Sequence, residues 1–507
     1  MIELLLFGSF FLFLALGIPV AFSLGLSAVT VLITTDGLQV LDVVPSVMFP
    51  SMSSGTLLAI PFFVLAGIIM QYTGISQRLI DLAFIVFGRF SHGLAAVTII
   101  SAFFFSAISG SGPATVAAIG AILIPALVRN GYAKKHAISL VAASGSMGIV
   151  VPPSIAFIIF AVVASEYGSI SISRLFIAGI VPGIIMAAAF FIAALFVPRV
   201  RDLAGLPVKS GREPRSETIG AEANAASAGD GASASAGTSG TRTLTSTGSG
   251  GTRHPGTGHP GSSSGAGSGD GPVPAPTDTV DPNGGLAEFL SLLVKAIPGL
   301  LIPVIILGGI YGGIFTPTEA GAVASVFALA VGIFVYRELK WTDLPKVFLE
   351  SGVSTAVIMF IVGVASLFSY VITVEGVADR VSTAVLGVTD NKFVILAVIT
   401  IILLIVGAFV DAISAFYLFI PILVPILIGV GVDMTTIGVF MTVNLAIGLF
   451  TPPVGLNLYV GAGIGKARLE DVVRGILPFL ICAIIALLLI TYIPAISNWL
   501  PDLLGVG

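Results

Sequence analysis

The chain has 507 residues, 56% of them hydrophobic and 9% charged, and its mean hydropathy is +1.10. This composition excludes a soluble globular protein and indicates that lipid is the solvent for most of the chain. The formal net charge of -4 gives nucleic-acid binding no support, and the single cysteine, Cys482, excludes an intrachain disulfide.

Apolar runs of bilayer length predict a first membrane unit over residues 1–201. Its predicted spans cover residues 2–16, 19–35, 57–75, 137–165 and 174–198, and a further apolar segment covers 94–127. Basic residues flank that segment on both sides, with Arg89 before it and Arg129 and Lys134 after it. Because basic residues stay in the cytoplasm, both ends are expected there, and the segment is predicted to be a re-entrant hairpin turning at SGSGP.

A polar segment follows over residues 202–286. Between residues 209 and 272 its only large aliphatic residues are Ile219 and Leu244, and it contains no Phe, Tyr or Trp. Such a segment has too little apolar surface to offset the entropy of ordering it. We therefore predict a disordered, Gly/Ser-rich cytoplasmic linker between two membrane units.

The second membrane unit is predicted over residues 287–507. Its predicted spans cover residues 291–313, 316–337, 353–374, 434–461 and 474–496, and its additional apolar segment covers 393–428. Little positive charge flanks this second segment, so its two ends are expected outside the cytoplasm. It is predicted to be a hairpin that opens toward the periplasm, opposite to the first.

Helix-breaking residues recur in the two units at a constant displacement. Pro125, Gly148, Pro152 and Pro153 have counterparts 300 positions later. These counterparts are Pro425, Gly448, Pro452 and Pro453. Recurrence in one register favours an internal duplication over a chance matching of prolines. Because five crossings is an odd number, the second copy would be inverted, with both chain termini on the external face.

Two glycine- and proline-rich stretches interrupt the predicted spans at 137–165 and 434–461, namely GSMGIVVPPSIAF and AIGLFTPPVGLNL. Irregular backbone survives in a membrane only where it is buried in protein or lines a wet cavity. Matching breaks in inverted halves mark the binding site of secondary transporters, since freed carbonyls bind cations and half-helix N-termini attract anions. A simple kink in each helix is the alternative reading.

Four motifs carry a family resemblance: FFFSAISGSGPATVAAIG, GSMGIVVPPS, GGIFTPTEAGAVA and GLFTPPVGLNLYVG. Together they resemble the large membrane subunit, of the DctM type, of tripartite ATP-independent periplasmic (TRAP) transporters. The resemblance implies an all-α polytopic membrane protein of two inverted repeats, each with five spanning helices, one of them broken, and one re-entrant hairpin. It also implies an elevator mechanism in a bacterial or archaeal cytoplasmic (inner) membrane.

The same resemblance implies the chemistry and the partners. The expected activity is Na+-coupled import of small organic anions, such as C4-dicarboxylates. The expected partners are a periplasmic substrate-binding protein that delivers the anion and a small four-helix membrane subunit. An enzyme is disfavoured, because neither His92 nor His136 has a catalytic partner by motif. An ion channel and a stand-alone Na+/dicarboxylate symporter remain as alternatives.

Candidate site residues follow from the motifs. The resemblance implies one sodium site at Ser106, Ser109, Gly148, Val151 and Pro153, and a second at Gly407, Gly448 and Thr451. For the anion, we predict hydroxyl and amide groups near the hairpin turns and helix breaks: Ser111, Thr115, Ser146, Asn444 and Asn457. Hydroxyl groups also commonly bond to carbonyls of their own helix, which is the alternative at each serine and threonine.

Two acidic residues lie within the predicted membrane region. Asp411 lies in the second predicted hairpin, and two roles are open for it: balancing the charge of a cation, or bonding to the hairpin backbone. Glu319 follows TPT at the start of a predicted span, where it is expected to stabilise the helix N-terminus.

Overall fold

A computed structural model of the chain describes residues 2–90, 92–197 and 285–506. These residues form 20 α-helices without β-strands and belong to one compact unit. Eight helical segments are long and apolar enough to cross a membrane. The predicted linker, 202–286, lies outside the described residues except for its last two positions.

The first half of the described chain contains ten α-helices. They are α1 (Ile2–Ala15), α2 (Val20–Asp36), α3 (Val43–Met52), α4 (Ala59–Tyr72), α5 (Ile75–Phe87), α6 (Gly93–Ser109), α7 (Gly112–Arg129), α8 (Lys134–Gly145), α9 (Ile155–Ala164) and α10 (Ile172–Phe196). The second half contains another ten. They are α11 (Leu286–Tyr311), α12 (Pro317–Ala330), α13 (Leu344–Val374), α14 (Val377–Val388), α15 (Lys392–Gly407), α16 (Ala412–Gly429), α17 (Met434–Gly448), α18 (Leu456–Gly465), α19 (Leu469–Tyr492) and α20 (Ala495–Leu503).

Each predicted span contains a helix, and each of the two additional apolar segments folds as a pair of helices that turns back on itself. Helices α6 and α7 pack against each other, and Gly110 reverses the chain between them with a φ of +60°, which glycine adopts without steric penalty. In the second hairpin, the Lys392 ammonium donates to the carbonyl of Gly431 over 3.2 Å. That bond joins the beginning of α15 to the residues just after α16, so both ends of this hairpin lie on one side.

Both predicted helix breaks are present. Helix α8 ends at Gly145, a 3₁₀ turn covers Ser146–Ile149, and the helix resumes only at α9. In the second half the chain is non-helical between α17 and α18. A broken helix is thus found twice, about 300 residues apart, as the recurring glycines and prolines of the sequence predict.

The two broken helices run antiparallel. The Lys134 ammonium, at the start of α8, donates to the carbonyl of Lys466, just after α18, over 2.9 Å. At the other end of the first broken helix, α9 is followed by the start of α10. The Arg174 guanidinium there donates to the Thr435 hydroxyl, near the start of α17, over 3.0 Å. The start of one broken helix therefore lies beside the end of the other.

Four helices have no counterpart among the predicted elements: α3, α5, α14 and α20. Helices α5 and α14 are amphipathic, and each carries acidic and basic residues, so their mean hydropathy stays below that of a membrane span. Both begin after a glycine of positive φ, Gly74 and Gly376. They connect α4 and α13 to the two hairpins.

Each connecting helix is joined to the opposite half by an arginine. Arg78 of α5 pairs with Glu338 over 2.6 Å, and Arg380 of α14 pairs with Glu3 over 2.5 Å.

Glu319 forms a capping box with Thr316 at the start of α12, which confirms the predicted role of its carboxylate.

Candidate transport site

The tip of the first hairpin lies directly against the first helix break. A Cβ atom added at Gly148 would lie 2.5 Å from the carbonyl oxygen of Ser111, and one added at Gly110 would lie 3.1 Å from the carbonyl oxygen of Pro153. Main chain meets main chain at both places. Glycine is required there because any side chain would push the hairpin tip away from the break.

Hydroxyl groups line the inside of this tip. The Ser109 hydroxyl lies 3.0 Å from that of Thr115, and the Ser106 hydroxyl lies 3.5 Å from the same group. Thr115 donates to the Ser111 carbonyl over 2.9 Å. Ser106, Ser109 and Thr115 are buried, so the predicted residues of the tip form one enclosed cluster of neutral oxygen atoms.

The remaining residues of the first sodium prediction offer only main-chain oxygens. The Val151 side chain has no oxygen atom and packs against Gly183 of α10, so Val151 can contribute only its carbonyl. The structure brings Ser109, Gly148 and Pro153 to one place, on either side of Gly110 and Ser111. Carbonyl and hydroxyl oxygens are the ligand class that suits hard cations.

The second hairpin makes the equivalent contact with the second break. A Cβ atom at Gly448 would lie 2.5 Å from the Cα atom of Gly407, the same distance that separates a Cβ atom at Gly148 from the Ser111 carbonyl oxygen. Thr451 donates its hydroxyl to the Ile447 carbonyl over 2.7 Å. A donating hydroxyl keeps its lone pairs, so Thr451 can still act as a ligand beside the two glycines.

Asp411 caps the second arm of its hairpin. One carboxylate oxygen accepts from the main-chain N–H groups of Ile413 and Ser414, and the other accepts from the Ser414 hydroxyl over 2.6 Å. Of the two roles left open for Asp411, the structure supports bonding to the hairpin backbone. Both oxygen atoms are engaged at the N-terminus of α16, where the helix dipole stabilises a negative charge.

The predicted anion residues divide into two groups. Asn457 reaches across the halves: its amide donates to the Ala142 carbonyl over 3.1 Å, and its side-chain oxygen is buried without a partner. It also faces Gly112 at the tip of the first hairpin. Two other predicted residues, Ser111 and Thr115, belong to the same tip. The Ser146 hydroxyl donates to the Ala143 carbonyl of its own helix, which is the alternative given above for serine and threonine hydroxyls.

Asn444 lies on α17 and also donates to its own helix, at the Phe440 carbonyl, over 2.9 Å. Its side-chain oxygen is buried without a partner, like that of Asn457. The Ser144 hydroxyl on α8 is also buried without a partner, and it was not predicted from the sequence. Its position one residue before the first break was a usable signal, since polar groups beside broken helices are candidates for ligand contact.

Two helix N-termini converge at this point. Helix α7 begins at Gly112 and α18 begins at Leu456, and neither has a side-chain cap. A Cβ atom at Gly112 would lie 3.2 Å from the Asn457 side-chain oxygen, so the first turns of the two helices are in contact. An uncapped N-terminus carries partial positive charge, which favours an anion. In α18 the main-chain N–H of Asn457 is itself engaged, since it donates to the Leu449 carbonyl over 2.8 Å. Among the described residues, no group of three or more His, Cys, Asp or Glu side chains is placed to hold a metal ion.

Comparison with known proteins agrees with this architecture. Residues 7–496 match the family model described as the DctM component of the tripartite ATP-independent periplasmic transporter. The chain belongs to the DctM family. It is 35% identical over 487 residues to the C4-dicarboxylate TRAP transporter large permease protein DctM of Pseudomonas aeruginosa, covering 96% of this chain and 95% of that one.

A second relative of the DctM family is the isethionate TRAP transporter permease protein DctMQ of Oleidesulfovibrio alaskensis. It is 36% identical over 491 residues, which are 97% of this chain and 65% of the relative's length. Among solved structures, the YdaH transporter of Alcanivorax borkumensis has the same fold, with a TM-score of 0.58, 14% identity and coverage of 94% of this chain and 90% of that one. DctM proteins are permeases of the inner membrane and not enzymes, as the sequence predicts.

Proposed function

We propose that this DctM chain imports small organic anions in symport with Na+, as the membrane-spanning part of a three-component transporter. The observation that carries the proposal is the meeting of the first hairpin tip, the first helix break and the start of α18 around Gly112 and Asn457. One small volume thereby combines neutral oxygen ligands for cations with two uncapped helix N-termini for an anion.

The substrate class is drawn from the site and from the relatives together. The relatives are named for C4-dicarboxylates and for isethionate, which are small anions without a common carbon skeleton. Positive helix ends and the Asn457 amide recognise charge and hydrogen-bonding capacity rather than a particular chain. We propose a carboxylate or sulfonate of this size as substrate.

Two sodium sites are proposed at the contacts between hairpins and breaks. The first uses Ser106 and Ser109 with the main chain of Gly148, Val151 and Pro153. The second uses Gly407, Gly448 and Thr451. Both lie where the backbone of a hairpin tip touches the backbone of a broken helix, so binding a cation would lock the tip onto the break. That linkage would make closure around the anion depend on Na+.

Movement is required for transport because the site is closed. Thr115 and Asn457 have no exposed surface, so an anion reaches them only after a hairpin moves. We propose an elevator movement of two inverted repeats, in which α5 and α14 carry the hairpins relative to the surrounding spans. The antiparallel broken helices and the two arginine pairs, Arg78–Glu338 and Arg380–Glu3, support this arrangement.

Two further components are proposed as partners. The family description names a tripartite system, and the Pseudomonas relative is a large permease protein. We propose that a small membrane subunit of four helices and a periplasmic binding protein complete the transporter. A stand-alone symporter is the second candidate function, supported by the two-fold arrangement of hairpins within this single chain.

The test is uptake of radiolabelled succinate, or of isethionate, into proteoliposomes. They contain this chain with the proposed small subunit and binding protein, and an inward Na+ gradient is imposed or replaced by K+. The proposal predicts uptake above the external concentration with Na+ and none with K+. Equal accumulation in K+ would overturn Na+ coupling, and undiminished uptake without the binding protein would favour the stand-alone symporter.

A further inference from the structure

A basic pocket lies at the face where the two halves meet, remote from the hairpin tips. It has a volume of about 460 Å³ and is open to the surface. Its lining consists of residues from the start of α8, the end of α18 and the start of α19: Lys134, Lys135, Lys466, Ala467, Arg468 and Asp471. Four of these side chains are cationic and one is anionic, so the pocket has an excess of positive charge.

The geometry holds those charges together. Lys134 donates to the carbonyl of Lys466, which ties the two halves at this point and leaves two of the three ammonium hydrogens free for another acceptor. Helices α8 and α19 both begin beside the pocket, and neither has a side-chain cap. Their positive ends therefore add to the field of the four cations, offset in part by Glu470 and Asp471 in the first turn of α19.

Lys466 occupies a backbone conformation that lysine rarely adopts. Its φ is +48°, and within the described residues only Arg337 shares a positive φ among non-glycine residues. Glycine is the usual residue at such a helix end, because a side chain there is disfavoured by about 1 kcal/mol. A lysine at this position accepts that strain and places an ammonium at the pocket, which points to a role for the charge.

The position of the pocket relative to the membrane indicates what it binds. Helix α19 runs from Leu469 for 24 residues as an apolar candidate span, so the pocket lies at the end of a membrane helix, at the level of lipid headgroups. Its basic residues place it on the cytoplasmic face by the positive-inside rule. Basic pockets between membrane helices on that face suit anionic headgroups.

We propose that this pocket binds the phosphate group of an anionic phospholipid and that the headgroup bridges α8 of the first half to α18 and α19 of the second. The lysine and arginine side chains would bond to the phosphate oxygens. The acyl chains would lie along α19. This inference is independent of the substrate and of Na+ coupling, since it concerns lipid binding by the resting protein.

The experiment measures lipid preference with the full-length chain in phosphatidylcholine nanodiscs doped with spin-labelled phosphatidylglycerol or spin-labelled phosphatidylcholine. The expected result is a motionally restricted fraction that favours phosphatidylglycerol. Lys466→Gly removes one charge and relieves the backbone strain, so it should fold at least as well as the parent and lower the preference about fivefold. Lys135→Gln should have a similar effect, whereas Lys340→Gln, a loss of the same charge on the same predicted face outside the pocket, should have none.

Two outcomes would overturn the proposal. One is an unchanged phosphatidylglycerol preference in both Lys466→Gly and Lys135→Gln. The other is an absence of lipid preference together with binding of inorganic phosphate alone that Lys466→Gly abolishes, which would assign the pocket to a soluble anion. Loss of preference in the pocket variants, with Lys340→Gln unaffected and inorganic phosphate unable to displace the lipid, would establish the headgroup site.

Discussion

The two hairpins touch their helix breaks in the same way but lie in different surroundings. The first is enclosed: α6 packs against α4, α5, α8 and α10, and Phe105 on it is 1% exposed. The second is open: Ile405, at the position equivalent to Phe105, is 57% exposed, and Phe409 and Val454 beside the second break are exposed as well. The first site is therefore sealed by its neighbours, and the second can relax outward.

A second difference concerns charge at the tips. Ser111 and Asp411 occupy equivalent positions at the start of the second arm of each hairpin. Asp411 caps its helix with a carboxylate, whereas the Ser111 side chain provides no cap. The tip of the first hairpin thus keeps its positive character for an anion, and the second tip is neutralised. Both hairpins contribute to a proposed Na+ site, but only the tip of the first belongs to the proposed anion site.

The largest expected effect comes from making the two tips alike. Ser111→Asp places a carboxylate beside the proposed anion site, where like charges a few ångströms apart repel by about 3 kcal/mol, equivalent to more than a hundredfold in affinity. We expect the KM for the anion to rise by that factor, while thermal stability is maintained because aspartate caps helices well. An unchanged KM would remove the first hairpin tip from the anion site.

Glycine substitution measures the difference in enclosure. Gly148→Ala and Gly448→Ala both force a Cβ onto main-chain atoms of the facing hairpin. The enclosed first half cannot relax, so Gly148→Ala is expected to destabilise by about 3 kcal/mol and Gly448→Ala by about 1 kcal/mol. Thermal unfolding in detergent measures both, with Gly463→Ala as a control because nothing lies near its Cβ position. A larger loss at Gly448 would contradict the comparison.

The proposed sodium ligands come next in size. Ser109→Ala and Thr451→Val each remove one hydroxyl oxygen from a proposed cation site, which should raise the half-saturating Na+ concentration about tenfold. The matched control is Ser101→Ala, on the same helix as Ser109, since the Ser101 hydroxyl is buried without a partner. If Ser101→Ala shifts the Na+ response as much as Ser109→Ala, the assignment of the first site is wrong.

The smallest effect separates the two readings of Asp411. If the carboxylate serves as a cap, Asp411→Asn should retain stability and Na+ response, because asparagine caps as well as aspartate. Asp411→Ala should lose about 1 kcal/mol of stability. A strong loss of Na+-driven uptake in Asp411→Asn, with stability preserved, would instead assign the charge to the cation.

Prolines and glycines allowed the hairpins and helix breaks of this fold to be predicted from the sequence. They break helices whatever surrounds them, so the hairpins and the breaks could be located from punctuation alone. The amphipathic helices α5 and α14 were missed because their faces are defined by the other half, as the pairs Arg78–Glu338 and Arg380–Glu3 illustrate. Local hydropathy contains no information on a partner about 260 or more residues away.

Some of the site residues could be predicted from the sequence and others could not. Gly148 and Gly448 could be identified because helix-breaking residues recur 300 positions apart and the family motifs include both. The structure supplies the reason, since each faces the main chain of a hairpin tip. Ser146 and Asn444 could not be told apart from Asn457 by residue type, since a polar side chain on a helix satisfies itself locally or reaches across depending on which face it occupies. The role of Asp411 was equally open until its hydrogen bonds to Ile413 and Ser414 were known.

The most direct test of the inverted arrangement is the sidedness of two single cysteines in a Cys482→Ser background. Asn130 precedes α8 and Asp390 precedes α15, and both are exposed. A membrane-impermeant maleimide is added to intact spheroplasts or after permeabilisation. The antiparallel halves predict that Asp390→Cys reacts from outside and Asn130→Cys only after permeabilisation. Labelling of both cysteines from the same side would contradict the inverted repeats and the transport mechanism built on them.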